Sequence, residues 1–202
     1  MKHYWDDWVV ETDLYGELDL SECALIKQAH GNKIIVRQDI DSGSVGDGII
    51  TTGESAAIYT ADCLPLVLLT KQMALILHVS RKSLVCGLLE KAAEKIDGLP
   101  ETDVAAYIGP HICRRHFEFA YLGEEAKRFT LKYPDSVYRQ KGSWYFSLRR
   151  AVGGYLTGLG VSRVIEDGRC TYEETALASY RRSGCLKGKS VKQNITVVKR
   201  RF

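Results

Sequence analysis

Pro65-Leu66-Val67-Leu68-Leu69-Thr70, a polar break at Lys71-Gln72, and Met73-Ala74-Leu75-Ile76-Leu77-His78-Val79 set the fold class of this chain. Both runs are apolar without alternation, the pattern of strands covered on both faces. The two-residue polar break between them predicts a hairpin. Immediately downstream the period changes. Leu84, Leu88, Ala92 and Ile96 recur at four-residue steps, with Val85 and Leu89 alongside and Glu90, Lys91, Glu94 and Lys95 largely opposite. That spacing predicts one amphipathic helix over Lys82–Ile96, packed on the sheet and stopped by Asp97-Gly98.

Further strands are expected at Lys33–Gln38, Ala56–Thr60, Val104–Ile108, Val161–Ile165 and Ile195–Val198, where β-branched and aliphatic residues cluster. Gly123–Tyr133 and Ser147–Leu159 read as helices, the second ended by Gly160. The sum is an α+β protein, a mixed strand-rich core flanked by helices, expected as one domain over residues 1–202.

The composition is that of an ordinary globular protein. At 202 residues a chain buries roughly 70% of its unfolded surface and needs no staples. A net charge of +3, from 28 basic and 25 acidic residues, is too mild to point to nucleic acid. Lys187, Lys189, Lys192, Lys199, Arg200 and Arg201 make the end locally basic, either a solvated end or a polyanion contact. Met1–Trp8 has no apolar run of a secretory signal, and no stretch reaches the ~20 apolar residues that span a bilayer. Cys23, Cys63, Cys86, Cys113, Cys170 and Cys185 are therefore expected as reduced thiols in a cytoplasmic protein, and no Cys-x-x-Cys pair suggests a zinc finger or a thioredoxin-like site.

The residues with chemical potential sit at element ends. His30 precedes the turn pair Gly31-Asn32, Cys63 lies in Thr60-Ala61-Asp62-Cys63-Leu64-Pro65 where a strand bends, and His78 closes the second apolar run. One thiol and two imidazoles make a three-ligand metal site with one position open, as catalytic zinc requires. Neither interval between them is a signature spacing. On spacing alone, each also reads as an ordinary core or surface residue.

Gln28-Ala29-His30-Gly31, Thr60-Ala61-Asp62-Cys63-Leu64-Pro65 and His78 resemble the successive motifs of the YfiH family, also called the multicopper polyphenol oxidase, laccase-domain or purine nucleoside phosphorylase family. Asp47-Gly48-Ile49-Ile50-Thr51, Tyr107-Ile108-Gly109-Pro110-His111-Ile112, Phe117-Glu118, Asp167–Tyr172 and Ser179-Tyr180-Arg181-Arg182 are similar to its other segments, in the same order. The resemblance implies that His30, Cys63 and His78 hold a zinc ion and carry the reaction. It implies phosphorolysis of adenosine, inosine or methylthioadenosine to a base and a sugar 1-phosphate, with adenosine deamination in some members. Gln28, Asp62, Lys82, Arg169, Tyr180 and Arg181 become candidates for substrate binding, and Arg37 and Arg182 further cationic candidates for phosphate. Asp62 reads either as an acceptor for a ligand imidazole N–H or as a turn carboxylate. Tyr180 reads either as a purine-stacking ring or as a core aromatic, and His111 and His116 as site or surface residues.

Two departures from the family pattern bear on the site. The family continues its second His as His-Ala-Gly-Trp-Arg-Gly, whereas this chain reads His78-Val79-Ser80-Arg81-Lys82-Ser83. Lys82 in place of Arg loses a bidentate phosphate fork. The family also begins with a longer N-terminal region, including Arg-Gly-Gly and Asn-Leu segments, where only Met1–Lys27 stands here. Three other readings are a copper-dependent phenol oxidase, a metal-free amide hydrolase using Cys63 and His78, and a non-catalytic metal-binding member. The copper reading is disfavoured, because five histidines (His3, His30, His78, His111, His116) are too few for several copper centres.

Overall fold

The computed structural model describes residues 1–97, 104–161, 163–184 and 192–201. In chain order its elements are β1 (Lys2–Trp5), β2 (Trp8–Leu14), β3 (Ile34–Val36), β4 (Gly48–Thr51), β5 (Ala56–Thr60), β6 (Leu64–Leu69) and β7 (Ala74–Val79). Helices α1 (Arg81–Val85) and α2 (Leu88–Ile96) follow, then β8 (Ala105–Ile108), β9 (Glu118–Phe119) and α3 (Glu124–Lys132). The chain continues through β10 (Val137–Gln140), β11 (Ser143–Phe146), α4 (Leu148–Gly158), β12 (Arg163–Glu166) and β13 (Asn194–Arg200).

The expected hairpin is the centre of the molecule. β6 and β7 pair antiparallel, with Leu66 opposite Leu77 and Pro65 opposite His78. Thr70 closes the turn, its hydroxyl oxygen accepting from the amides of Gln72 and Met73. The hairpin lies inside a six-stranded sheet of order β12-β8-β6-β7-β4-β3. Its side chains alternate between two cores. Leu64, Leu66, Leu68, Leu75, Leu77 and Val79 pack with the four helices. Val67, Leu69, Ala74 and Ile76 pack with Trp8, Val10, Ile58 and Val198 from a second sheet, of order β1-β2-β13-β5. Each fully buried aliphatic side chain of this kind contributes about 1.5–3 kcal/mol, so the hairpin is a rigid base for whatever its ends carry. A small three-stranded sheet, β10-β11-β9, completes an α+β single domain. Among the described residues no helix is long and apolar enough to cross a membrane.

The helix expected over Lys82–Ile96 is two helices. Ser80 caps the first through a reciprocal pair with Ser83, and the chain breaks at Gly87, whose φ of +89° is left-handed. The four-residue spacing persists because Leu84, Leu88, Leu89 and Ala92 all reach the same core. The strand expected over Lys33–Gln38 is shorter, Ile34–Val36, and turns directly into a 3-10 turn at Arg37–Asp39. Asp97 caps the end of α2, while Gly98, Cys185, Lys187 and Lys189 lie outside the described residues.

Candidate functional site

β5 belongs to one sheet and β6 to the other, so the chain changes sheets over residues 61–63. Asp62 takes a φ of +87° at this corner. A non-glycine residue there costs about 1–3 kcal/mol and needs its surroundings to hold it. Two bonds do so. The Thr171 hydroxyl donates to Asp62 Oδ1 at 2.7 Å, and the Arg181 amide donates to Oδ2 at 2.6 Å. Cys63 is thereby presented beside the end of β7, where His78 emerges opposite Pro65.

His30 arrives from a loop with its own left-handed residue, at a φ of +59°. Here the support is Asp47, which precedes β4. Its carboxylate accepts from the amides of Ala29, His30 and Gly31 at 3.3, 2.9 and 2.6 Å. Asp47 Oδ1 also lies 2.8 Å from His78 Nδ1. One carboxylate thus fixes the loop that carries one imidazole and the ring orientation of the other. With Nδ1 committed to Asp47, His78 has Nε2 left for a ligand.

His30, Cys63 and His78 converge. Their donor atoms lie within 4.8 Å of one another, and the two imidazoles meet edge-on with centroids 4.7 Å apart. His78 is buried, Cys63 half-buried and His30 exposed. Burial pushes the Cys63 thiol up, but His78 and His30 beside it more than offset this and bring it to about 7. Burial opposes charge on His78 as well, yet the Cys63 sulfur and the Asp47 carboxylate raise it to about 9. Burial also opposes the Asp47 charge, while His78 and the Gly31 and His30 amides hold its carboxyl below the ordinary range. A thiolate and two imidazoles, one backed by a carboxylate, fit a zinc ion with an open side. Among the described residues no group gathers enough histidines for several copper centres.

The three residues line a cavity of about 1050 Å³. Lys27, Arg81, Lys82 and Arg181 bring positive charge to it, and Tyr59, Phe117, Phe119 and Tyr180 bring aromatic surface. Arg81 lies over the Phe119 ring at 4.2 Å and donates through Nε to Glu125 at 2.9 Å. Among the described residues its Nη1 is buried with no hydrogen-bond partner, as is Oγ1 of Thr60, another residue of the cavity wall. Such groups are costly unless something pairs with them.

The other sequence candidates separate. Gln28 lines the cavity, but its side-chain amide is spent on the main chain of Tyr59, donating at 2.7 Å and accepting at 2.8 Å. Arg181 lines the cavity and donates to the Glu118 carbonyl at 2.6 Å. Lys82 and Tyr180 line it and are exposed. Arg169 does not; its guanidinium grips Asp167, with Nη2 to Oδ2 at 2.6 Å. Among the described residues Asp62 accepts no imidazole N–H and bonds no local turn amides: that service to the imidazole falls to Asp47, and Asp62 clamps two distant segments instead. Arg182 is spent on carbonyls, with Nη1 donating to Thr171 and Tyr172 at 2.6 and 2.9 Å. Arg37 is not among the cavity residues; its Nε donates to the Ser55 carbonyl at 3.3 Å. The sequence signal for Asp47 was its place in the Asp47-Gly48-Ile49-Ile50-Thr51 string. Arg81 drew notice only as the residue standing where the family has Trp.

Comparison with known proteins gives a consistent set. Residues 11–194 match the model of a family described as multi-copper polyphenol oxidoreductase laccase. A purine nucleoside phosphorylase of Campylobacter jejuni is 25% identical over 190 residues, covering 91% of this chain and 79% of that protein. One of Aquifex aeolicus is 28% identical over 158 residues, covering 77% and 74%. Purine nucleoside phosphorylase YfiH of Escherichia coli is 29% identical over 136 residues, covering 65% and 56%. Solved structures share the fold. YlmD of Geobacillus stearothermophilus superposes with a TM-score of 0.77 at 20% identity, over 91% of this chain and 75% of that one. The hypothetical protein YfiH of Bacillus licheniformis gives 0.76 at 18% identity, over 92% and 76%.

Proposed function

The chain belongs to the family described as multi-copper polyphenol oxidoreductase laccase, and on that footing we propose that it is a zinc-dependent purine nucleoside phosphorylase. The observation that carries this reading is the meeting of His30, Cys63 and His78 on a cavity that also holds cations and aromatic rings. The names of the relatives support the substrate class.

Phosphorolysis joins a phosphate oxygen to the sugar C1′ as the bond from C1′ to the base nitrogen breaks, and the bonding pair leaves with the base. The cavity therefore has to bind an anion beside the sugar and a planar apolar group next to it. Lys82, Arg181 and Arg81 are the residues we assign to phosphate, and Phe119 and Tyr180 to the purine. His30, Cys63 and His78 are the residues that would hold zinc, which when bound supplies Lewis acidity to charge developing in the cavity. Asp47 keeps His78 in the tautomer that ligates through Nε2. Adenosine deamination in the same cavity is part of the proposal, as is a cytoplasmic setting in which Cys63 stays reduced.

The test is an assay of zinc-loaded protein with adenosine, inosine and methylthioadenosine, with and without phosphate. Phosphate-dependent release of free base supports the reading, and phosphate-independent conversion of adenosine to inosine supports the deaminase part. Absence of turnover, under conditions where the Aquifex aeolicus relative is active, refutes it. A metal-free protein whose Cys63 is covalently trapped by an amide substrate would establish the Cys63–His78 hydrolase reading instead.

A further inference from the structure

A second group of donors lies outside this site. Cys113, His116, Cys170 and Glu173 bring one ligand atom each to within 4.8 Å of one another. The sequence delivers them as two short pairs, Cys113-x-x-His116 and Cys170-x-x-Glu173. Such a two-residue spacer lets both ends of a turn face one point, as in the knuckles of structural zinc sites. The absence of Cys-x-x-Cys hides the pattern, because each pair has one non-thiol member.

The distances suit an ion. His116 Nδ1 lies 3.3 Å from Cys113 Sγ, 3.7 Å from Cys170 Sγ and 3.5 Å from Glu173 Oε1, and Cys113 Sγ stands 4.0 Å from that oxygen. Ligands at ~2.0–2.3 Å from a tetrahedral centre stand about 3.3–3.8 Å apart, which the three separations from His116 match, while Cys113 and Glu173 would have to close slightly from 4.0 Å. The surroundings suit it too. The Cys113 amide donates to Cys170 Sγ at 3.2 Å, tying the two loops at the sulfur. Tyr172 stacks on the His116 ring at 4.3 Å, fixing its plane. Two thiolates and a carboxylate around a divalent cation leave one negative charge, and Arg115 Nη2, 2.7 Å from Glu173 Oε1, offsets it.

We propose that these four residues bind a second metal ion, with zinc the best match to their donors, as a closed structural site joining two loops. The donor set is two sulfurs, a nitrogen and an oxygen, which disfavours the hard cations calcium and magnesium. The two loops already meet, with Thr171 N donating to the His111 carbonyl at 3.1 Å. One carries Ile112, which lines the cavity, and the other carries Thr171, which holds Asp62. The ion thus braces the corner that presents Cys63 without touching the reacting groups. Its residues are distinct from His30, Cys63 and His78, so this inference and the phosphorylase reading can fail separately.

The experiment is elemental analysis of the full chain, purified reduced and without chelator and then offered zinc. Wild type is expected to hold two equivalents, Cys63→Ala one, and the Cys113→Ser/Cys170→Ser double variant one. Cobalt(II) bound to Cys63→Ala should show thiolate-to-metal charge transfer and tetrahedral ligand-field bands, both lost when Cys113→Ser is added. In wild type, zinc should shield Cys113 and Cys170 from alkylation, a readout that needs no variant to fold. No metal in reduced, zinc-treated Cys63→Ala, together with unshielded Cys113 and Cys170 in wild type, overturns the proposal. So does a Cys113–Cys170 disulfide that excludes zinc and reforms after reduction.

Discussion

Asp47 Oδ1 stands 2.8 Å from Nδ1 of His78, and both side chains are almost wholly buried. The same carboxylate accepts three main-chain amides from the His30 loop. Two residues far apart in sequence are therefore positioned by one group between them. This separates holding the site from performing its chemistry, and it makes Asp47 the most informative residue to change.

Asp47→Asn keeps the shape but replaces one acceptor oxygen with a donor, and it removes the charge that orients His78. Zinc affinity is expected to fall by about 10- to 100-fold, the usual effect of losing the carboxylate behind a ligand histidine. Stability is expected to fall by ~1–3 kcal/mol, because an amide of the His30 loop loses its acceptor. Competition with a chelating dye checks the first effect and thermal unfolding the second. Unchanged zinc affinity would show that Asp47 serves the loop alone.

In protein stripped of metal, Cys63 and His78 form a coupled pair, and the sign of each pH effect can be worked out. The Cys63 thiol is lowered to about 7, so the stability it lends is present above its unfolded value and is lost as pH falls through about 7. His78 is raised to about 9, so its contribution is complete below its unfolded value and is lost as pH rises through about 9. The charged pair is most populated between those two values. Alkylation of Cys63 by iodoacetamide should reach half its maximal rate near pH 7, against about 8.5 for an unperturbed thiol. His78→Gln should move that midpoint upward. Zinc should suppress the reaction across the range.

Gly48 shows how tightly the site is braced from behind. A Cβ there would sit 2.6 Å from Leu77 Cδ2 and 3.0 Å from Ile34 Cγ1. Gly48→Ala is expected to cost about 1–3 kcal/mol, as overpacking does. It also disturbs Asp47, the adjoining residue. Gly154, inside α4, has open space where a methyl group would stand, with nothing within 4 Å. Gly154→Ala should therefore stabilise by up to ~1 kcal/mol through helix propensity. Opposite shifts in unfolding temperature for one kind of substitution would confirm both environments.

The central hairpin was legible because an unbroken apolar run has few other uses, and Pro65–Thr70 and Met73–Val79 form the two middle strands. β9, β10 and β11 were not legible. Each is at most four residues long, and their burial comes from contacts such as Phe119 on Phe146, which no local period records. β1 and β2 escaped for another reason. Their partner β13 lies at the far end of the chain, and Trp8, Val10 and Thr12 become a buried face only once Arg200, Val198 and Thr196 lie beside them. The break at Gly87 was hidden because the leucine spacing continues across it.

The convergence of His30, Cys63 and His78 could be expected only through resemblance, since no spacing rule joins three residues on three separate elements. Asp47 was quoted within a matching segment, but its role depends on β4 lying beside β7, with Gly48 opposite Leu77. Arg169 misled because basic residues in a matching segment look alike in sequence. Its pairing with Asp167 two residues earlier is a local bond that draws it from the cavity.

Arg81 offers the sharpest test of how the cavity holds an anion. The sequence pointed to Lys82 for phosphate, but Lys82 is exposed, whereas the Arg81 side chain is largely covered. Phe119 stacks against one face of its guanidinium and Glu125 takes Nε, so the fork is held in one orientation. Nη1 is buried and, among the described residues, unpartnered, and Arg81 is one of the residues that line the cavity. A guanidinium held in this way has less side-chain entropy to lose on meeting an anion than the exposed Lys82 ammonium. Arg81→Lys retains the charge and loses the fork. Hydrogen bonds to charged groups contribute ~1.5–3 kcal/mol, so the KM for phosphate should rise by about 10- to 100-fold. Lys82→Ala should raise it by less. Neither change should alter zinc content, because neither residue belongs to the donor cluster His30, Cys63 and His78. If Arg81→Lys leaves the phosphate KM unchanged and Lys82→Ala raises it strongly, the anion sits at the exposed end of the cavity, and Arg81 serves the packing of its wall.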